Sequence, residues 1–346
     1  HGAIQCGFCT PGQLMQAFAL LQANPNPSRE EIQNAMKPVL CRCGSYESII
    51  SAVQAAALAL RENISLSDRD VSLGEQDLLH VGKPYYRPDA IAKAMGSAKF
   101  TDDLSFEGML FARVLRAKMP SGVLKSIDFE EASKIPGVKA VLTAKDLKYA
   151  KKHGIYLADW PILVGIGEHV RYMGDAIALV AAETQAIADE AVDKIHFELE
   201  PLAVVANPSR ALETNAPLVH ESGNLLKHIH TSKGDVEKAF ESAKTVLTAS
   251  FSTPFMEHLF MEPECSIAVP RPDGGLDLYN GSQIPFEDRR QVAEAIGLPE
   301  DKVRVRGQRT GGAFGGKEDI AGQIHAALLA MATNRPVKLL FTRRES

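Results

Sequence analysis

Residues 5–12 read QCGFCTPG and residues 41–46 read CRCGSY, and these two segments hold four of the chain's five cysteines. The four cysteines form two close pairs with the spacing C-x2-C-x31-C-x-C. A tetrahedral zinc ion and an iron–sulfur cluster both bind thiolates in such pairs. Because structural zinc sites usually separate paired cysteines by about two to four residues, the single residue between Cys41 and Cys43 favours an iron–sulfur cluster. Thiols without a metal are a less favoured interpretation, and we expect the fifth cysteine, Cys265, to be a core thiol.

The hydrophobic pattern around the cysteines predicts three short helices. Thr10 followed by Pro11 is typical of a helix start, with a capping residue before a proline in the first turn. Ser28 and Glu31 have the spacing of a capping box, which predicts the start of a second helix. A third helix is expected to begin after Ser45. Its apolar positions, which we expect to be buried, are Ile49, Val53, Ala57 and Leu60.

Beyond these helices, the pattern predicts a linker and then two regions in which strands alternate with helices. Residues 63–83 are polar and lack periodicity, as is typical of a linker. The predicted strands are 109–115, 138–143, 176–182, 194–200, 246–251, 265–269, 276–279 and 303–306. The predicted helices among them are 183–192, 286–296 and 318–332.

Length and composition limit the classes of protein that this chain can represent. The chain has 346 residues, of which 45% are hydrophobic and 23% charged, the balance of an ordinary globular protein. Its 38 Lys and Arg residues against 43 Asp and Glu residues give a net charge of −5, which predicts no binding to nucleic acid. The longest apolar runs, 176–182 and 326–332, are far shorter than the roughly 20 residues of a membrane span. We therefore expect no association with a membrane.

A second distinctive segment, residues 311–318, reads GGAFGGKE and lies between a predicted strand and a predicted helix. Gly311, Gly316 and Lys317 are in register with the phosphate-binding loop G-x4-G-K-[ST] of nucleotide hydrolases. Glu318, however, stands where that loop needs a hydroxyl to bind Mg²⁺. The glycines allow close backbone approach, and N–H groups at a helix start favour an anion. An anion-binding loop is therefore predicted, with a P-loop-like NTPase and a turn without a ligand as alternatives.

Both segments resemble one known family. Residues 5–12 and 41–46 resemble the helical [2Fe–2S] domain of the molybdenum hydroxylases, the xanthine dehydrogenase/aldehyde oxidoreductase family. Three later segments resemble successive signatures of that family's molybdopterin-binding domain: 260–270 (FMEPECSIAVP), 281–283 (GSQ) and 311–318. Two more are similar to its α/β hammerhead domain: 174–184 (GDAIALVAAET) and 198–205 (ELEPLAVV).

The resemblance implies an α+β multidomain fold. It places a small all-α helical bundle that binds [2Fe–2S] at 1–62, before the linker at 63–83. An α/β hammerhead domain at 84–208 and the first part of an α+β molybdopterin-binding domain at 209–346 would follow. The chain begins at His1 and ends soon after a strand-like run, so we expect it to be a fragment.

The resemblance also implies roles for particular residues. Cys6, Cys9, Cys41 and Cys43 would be the cluster ligands, and Gln5 and Cys43 would touch the pterin of the molybdenum cofactor. The residues that would hold or face that cofactor around its metal are Gln283, Gly312, Ala313, Phe314 and Gly315. Gln283 would hydrogen-bond an oxo ligand of molybdenum, and Glu318 matches the substrate-binding glutamate of purine-oxidising members. Gly44 and Ser45 stand where the family usually has Thr-Gly, a departure that leaves the ligands unchanged.

The activity implied is hydroxylation of a purine-like N-heterocycle with oxygen from water, with electrons passing to [2Fe–2S] clusters. Oxidation of an aldehyde to its acid is the alternative within the family. Residues 63–83 are too few for a flavin domain, so FAD would belong to a separate subunit or be replaced by an external acceptor. We further expect a homodimer in the cytoplasm. Outside the family, a zinc-stapled interaction module and a P-loop-like NTPase remain as alternatives.

Overall fold

The computed structural model describes residues 1–64 and 87–346. Apart from its first two residues, the predicted linker at 63–83 therefore lies outside the described part of the chain. The helices are α1 (Thr10–Ala23), α2 (Arg29–Met36), α3 (Tyr46–Glu62), α4 (Ala90–Ala94), α5 (Glu130–Ser133), α6 (Gln185–Asp193), α7 (Pro208–Ala211), α8 (Val236–Ser242), α9 (Pro285–Ile296) and α10 (Gln323–Thr333). Short 3-10 turns occur at Thr101–Asp103, Ala144–Asp146 and Glu300–Lys302.

Twelve strands in the described residues complete the fold, and they form three sheets. They are β1 (Leu110–Arg116), β2 (Gly122–Asp128), β3 (Val138–Thr143), β4 (Lys152–His153), β5 (Trp160–Pro161), β6 (His169–Val170), β7 (Ala176–Ala182), β8 (His196–Pro201), β9 (Cys265–Pro270), β10 (Leu276–Asn280), β11 (Val303–Gly307) and β12 (Val337–Leu340).

The largest sheet has seven strands in the order β11-β10-β9-β12-β1-β7-β3. The strands of the two regions meet at the parallel pair β1 and β12, in which Leu110 lies opposite Val337. Strands from both predicted α+β regions, 84–208 and 209–346, thus share one hydrogen-bonded sheet. The smaller sheets have the orders β6-β2-β8 and β4-β5.

The main core lies between this sheet and the helices α9 and α10. Ile324 and Leu329 of α10 are fully buried against it, together with Leu278 of β10. Every residue of β7 is buried, as expected for a strand covered on both faces, and this explains its uninterrupted apolar sequence. None of the helices in the described ranges combines the length and apolar character of a membrane span.

The first three helices form a separate bundle whose core extends to the cysteines. Ile32, Met36, Ile49 and Val53 are buried there, and Cys41 is buried with them. The predicted capping box at α2 is confirmed: Ser28 Oγ accepts from the Glu31 N–H, and the Glu31 carboxylate accepts from the Ser28 N–H. The cysteine turns therefore pack against the core of the helical bundle.

Four details of the sequence prediction are wrong. The residue that caps α1 is Cys9 rather than Thr10. Leu60 is 71% exposed because it lies on the solvent side of α3. Residues 246–251 form no strand and are exposed, because no strand in the described residues lies beside them to pair with their N–H and C=O groups. The helix predicted at 318–332 begins only at Gln323, whose side-chain oxygen accepts the N–H groups of the two preceding residues.

Candidate functional site

The four N-terminal cysteines come together at one end of the helical bundle. Cys6 and Cys9 lie in the turn before α1, and Cys41 and Cys43 lie in the turn between α2 and α3. The thiol of Cys6 contacts that of Cys43, and the thiol of Cys9 contacts that of Cys41. Each contact therefore joins one cysteine of the first turn to one cysteine of the second turn, rather than two cysteines that are close in sequence.

The surroundings of the thiols shift their pKa values in different directions. The pKa of Cys6 is raised to about 11 and that of Cys9 to about 12, mainly by burial and in the same direction by the neighbouring thiols. For Cys41, burial acts in the same direction, but hydrogen bonds from the Ser45 backbone and from Cys9 outweigh it and lower the pKa. Thiolates at the first two positions therefore need a cation beside them, and a bound metal centre provides that charge.

The four thiols together offer the donor set of a metal centre. Two contacts between thiols, each joining one cysteine from each turn, match the four cysteine ligands of a [2Fe–2S] cluster. Four cysteines are also a ligand set of structural zinc. The donor set therefore fits the cluster.

Gln5, a predicted pterin contact, is fixed to the second cysteine turn. Its side-chain amide donates to Ser45 Oγ at 2.9 Å, and its backbone carbonyl accepts from Lys93 Nζ at 3.1 Å. The Lys93 side chain is 2% exposed and pairs with Asp89 at 2.7 Å. Gln5, from the first cysteine segment, is therefore held beside the second turn, which bears the other predicted pterin contact, Cys43.

The glycine-rich segment 311–316 is a loop rather than the start of a helix, because α10 begins only at Gln323. Gly312 and Gly315 have φ values of +94° and +93°, and Phe314 adopts a φ of +54°. A bulky residue in this left-handed region is uncommon and is a typical sign of a functional constraint. Phe314 and Gly315 are exposed, whereas Gly312 is buried. The loop thus presents its tip, but not its base, to the surface.

Gln283 supports the loop from the neighbouring chain segment. Its side-chain oxygen accepts from the backbone N–H groups of Gly315 (3.2 Å) and Lys317 (3.3 Å), while its amide nitrogen donates to Glu318 Oε1 at 3.3 Å. The side chains of Gln283 and Glu318 are exposed beside the loop tip. The structure therefore brings the two predicted catalytic residues into direct contact.

Lys317 points away from this surface and into the protein. Its Nζ atom lies 2.8 Å from Glu262 Oε2 and 4.6 Å from the centre of the Phe260 ring. The same Glu262 oxygen accepts the N–H of Gly311 at 2.6 Å, and the Glu262 and Lys317 side chains are both 4% exposed. A lysine held in this way does not reach a bound phosphate, so the P-loop-like alternative loses its lysine as well as its hydroxyl.

Glu262 has a structural role that sequence reasoning missed. Part of the signal was present, because Glu262 directly follows Phe260 and Met261 in a largely apolar segment whose other acidic residue is Glu264. Charged residues are almost never fully buried unless they are paired. This pattern indicates a buried and paired carboxylate, but the sequence alone does not identify Lys317 as its partner.

The cysteine turns and the glycine-rich loop lie against each other. A Cβ atom at Gly311 would come within 2.5 Å of Phe8 Cδ2, so the ring of Phe8, between Cys6 and Cys9, packs directly on the loop backbone. From the second turn, Arg42 donates to the carbonyls of Glu257 and His258. The predicted cluster ligands and the predicted cofactor loop thus form one continuous site.

Comparison with family models identifies three consecutive domains. Residues 1–54 match a [2Fe–2S] binding domain. Residues 95–203 match the a/b hammerhead domain of aldehyde oxidase and xanthine dehydrogenase, and residues 219–346 match a molybdopterin cofactor-binding domain. The order and kind of these domains confirm the α+β multidomain fold class.

Curated relatives point to the same group of proteins. The chain is 43% identical to a probable xanthine dehydrogenase subunit of Bacillus subtilis, over 75% of this chain and 35% of that protein. It is 39% identical to the nicotinate dehydrogenase large molybdopterin subunit of Eubacterium barkeri, over 78% and 63%. The chain therefore spans between about a third and two thirds of the length of these relatives.

Solved structures extend the similarity to the whole chain. The aldehyde oxidoreductase of Desulfovibrio desulfuricans aligns with a TM-score of 0.90 at 30% identity, covering 100% of this chain and 40% of that one. A quinoline 2-oxidoreductase from Pseudomonas putida aligns over 75% of this chain with a TM-score of 0.67 at 26% identity.

Proposed function

Because this chain belongs to the xanthine dehydrogenase/aldehyde oxidoreductase family of molybdenum hydroxylases, we propose that the whole protein hydroxylates a purine-like N-heterocycle. The chain carries the domains that bind a [2Fe–2S] cluster and the molybdopterin cofactor. When bound, the molybdenum cofactor supplies a water-derived oxygen to the substrate and takes up its electrons, which the cluster carries away. The protein's part is to hold these groups and to orient the substrate.

The observation that carries the proposal is the packing of Phe8 on Gly311. It places the turn with Cys6 and Cys9 directly against the loop of the molybdopterin-binding domain. A cysteine-bound redox centre next to a cofactor loop is what electron removal from a substrate requires. Neither a zinc module nor a nucleotide hydrolase needs this contact.

The exposed groups at the loop tip are suited to orienting a cofactor and a substrate. Gln283 accepts the N–H of Gly315, and the exposed Phe314 beside it lies outside any helix, where its backbone is accessible to an anionic or oxo group. Glu318 is exposed and accepts a hydrogen bond only at long distance from Gln283. Its carboxylate is therefore available to accept an N–H from a heterocyclic substrate.

Aldehyde oxidation is the second candidate, and the whole-chain match to an aldehyde oxidoreductase favours it. An aldehyde has no second polar edge, so it makes no use of Glu318. The matches to proteins named for xanthine, nicotinate and quinoline together with the exposed carboxylate support the heterocycle. The relatives named as subunits support a separate subunit for FAD. We also propose that the protein is a homodimer in the cytoplasm.

The test uses the full-length protein, purified with its cofactors. Molybdenum and iron contents, the visible spectrum, and the oxidation of xanthine, hypoxanthine and benzaldehyde with a dye acceptor are measured. We expect molybdenum, iron–sulfur absorption and purine oxidation, with incorporation of ¹⁸O from labelled water. NAD⁺ reduction should need an added flavin subunit. A protein with zinc and no molybdenum would overturn the family function, whereas benzaldehyde oxidation without purine oxidation would select the aldehyde branch.

A further inference from the structure

Arg42 is the single residue between the two cysteines of the second pair, and it reaches far along the chain. Its Nε atom donates to the carbonyl of His258 at 2.7 Å, and its Nη2 atom donates to the carbonyl of Glu257 at 2.8 Å. Two parallel donors in a planar guanidinium match two successive carbonyls, a geometry that lysine does not reproduce. The turn that bears Cys41 and Cys43 is therefore fixed in position and in orientation.

The segment that Arg42 holds packs in turn on the glycine-rich loop. A Cβ atom at Gly316 would come within 2.9 Å of the His258 ring and within 2.7 Å of the Phe260 ring. Both rings thus lie directly on the loop backbone. Since Gln283 accepts the N–H of Gly315, the loop contacts both Gln283 and the segment that Arg42 anchors.

The first cysteine pair makes its own contact through Phe8, which packs on Gly311. The spacer residues of both pairs therefore connect the cluster turns to the same loop. The apolar contact of Phe8 is non-directional and does not define an orientation. The two hydrogen bonds of Arg42 have preferred distances and angles and therefore do define one. Both donors of Arg42 go to backbone carbonyls, so the contact depends on where those carbonyls lie.

We propose that Arg42 is a positioning residue for electron transfer, which sets the spacing between the cysteine-bound cluster and the glycine-rich loop. This inference rests on the proposed function. With both groups bound, the cluster held by the four cysteines would accept, one at a time, the electrons that the cofactor gives up, and the part of Arg42 would be to keep the cysteine turn at a set distance from the loop. The rate of such a transfer falls steeply with distance, and a displacement of about 1 Å at a remote support is enough to slow a step substantially.

The experiment compares Arg42→Lys and Arg42→Met in the full-length, cofactor-loaded protein. Arg42→Lys keeps the charge and loses the planar pair of donors, so it separates position from electrostatics. The matched control is Arg29→Met, which removes an exposed arginine of the same bundle that pairs with Glu47. Three quantities are measured: the magnetic interaction between paramagnetic molybdenum and the reduced cluster, the rate of cluster reduction after substrate is mixed in, and KM.

We expect iron content, molybdenum content and KM to stay unchanged in both Arg42 variants. The magnetic interaction should weaken, and cluster reduction should slow roughly tenfold in Arg42→Met and less in Arg42→Lys. The control should match wild type. Wild-type interaction and wild-type rate in a fully loaded Arg42→Met protein would overturn the proposal.

A second measurement keeps the inference testable if Arg42→Met loses its cofactors or if the proposed function itself fails. Amide hydrogen exchange is compared in wild type and Arg42→Lys, both loaded with iron and sulfide only. Faster exchange at 257–262 and 311–316 supports the positioning role without any substrate turnover. Unchanged exchange there contradicts it, whether or not the wild-type protein oxidises a purine.

Discussion

Nζ of Lys317 lies 2.8 Å from Oε2 of Glu262 in the interior of the protein, and this pair closes the glycine-rich loop at its base. The same carboxylate oxygen accepts the N–H of Gly311, so both ends of the loop are tied to one atom. The loop tip at Phe314 is left exposed, with a backbone conformation that an untethered chain would avoid. The segment that resembles a phosphate-binding loop is therefore anchored at its base by Glu262 and Lys317, and its tip at Phe314 is exposed.

We expect the loss of either member of this pair to destabilise the fold strongly. Lys317→Met leaves the Glu262 carboxylate buried without its counter-charge, and each single substitution, Lys317→Met or Glu262→Gln, should cost about 3–5 kcal/mol. The double variant should cost less than the sum of the two. Urea unfolding checks this, with Lys134→Met in an exposed ion pair as a control that should change by no more than about 1 kcal/mol. A loss below about 1 kcal/mol in Lys317→Met would contradict the pair's role.

Replacement of a cluster ligand should remove the cluster and lower stability together, since the binding energy of a metal site is part of the folding energy. We expect Cys6→Ser and Cys41→Ser to lose iron and visible absorption. Cys265→Ser is the matched control, because Cys265 is buried in β9 away from the other four, and it should keep both. A colourless wild-type protein with one zinc ion after anaerobic iron reconstitution would show that the cluster assignment is wrong.

The role of Glu318 can be separated from a merely local one by its dependence on the substrate. Glu318→Gln keeps the shape and still accepts from Gln283, but it removes the charge. For a purine, kcat/KM should fall by a factor that corresponds to about 2–4 kcal/mol of activation free energy. This is the range seen when a catalytic hydrogen-bonding group is lost. For benzaldehyde the loss should be far smaller. Both are measured at matched molybdenum content, and equal losses on the two substrates would make Glu318 structural.

His325 should make stability depend on pH below neutrality. It lies inside α10 with Nε2 3.0 Å from the carbonyl of Ile162, and burial lowers its pKa to about 3. The unfolded chain takes up a proton there below about pH 6.5, whereas the folded protein does not. The stabilisation is therefore complete above pH 6.5 and is lost as pH falls towards 3, by about 1.4 kcal/mol per pH unit.

The check for His325 is the free energy of unfolding between pH 4 and pH 7. His325→Gln keeps a donor towards Ile162 but has no titrating ring. The slope of the unfolding free energy against pH should therefore be lower by the contribution of about one proton. An equal slope in wild type and His325→Gln would show that His325 is not the titrating group.

The sequence by itself determined the elements and groups that depend on near neighbours. The capping box of Ser28 and Glu31 and the fully apolar strand β7 follow from local spacing and burial pattern, and both agree with the structure. The distribution of the cysteines as two spaced pairs predicted a metal centre, because thiol chemistry needs only the right residues at the right separation. The resemblance to the molybdenum hydroxylases likewise rests on short contiguous motifs.

Tertiary structure alone decided how these pieces are used. Residues 246–251 have the composition of a strand, yet a strand also needs a neighbour with which to pair. The direction of Lys317 depends on Glu262, and the joint between β1 and β12 links residues more than 200 positions apart. The contacts of Arg42 are equally remote in sequence. Such partners are chosen by packing and by the cost of burying an unpaired charge, and neither is visible in local sequence.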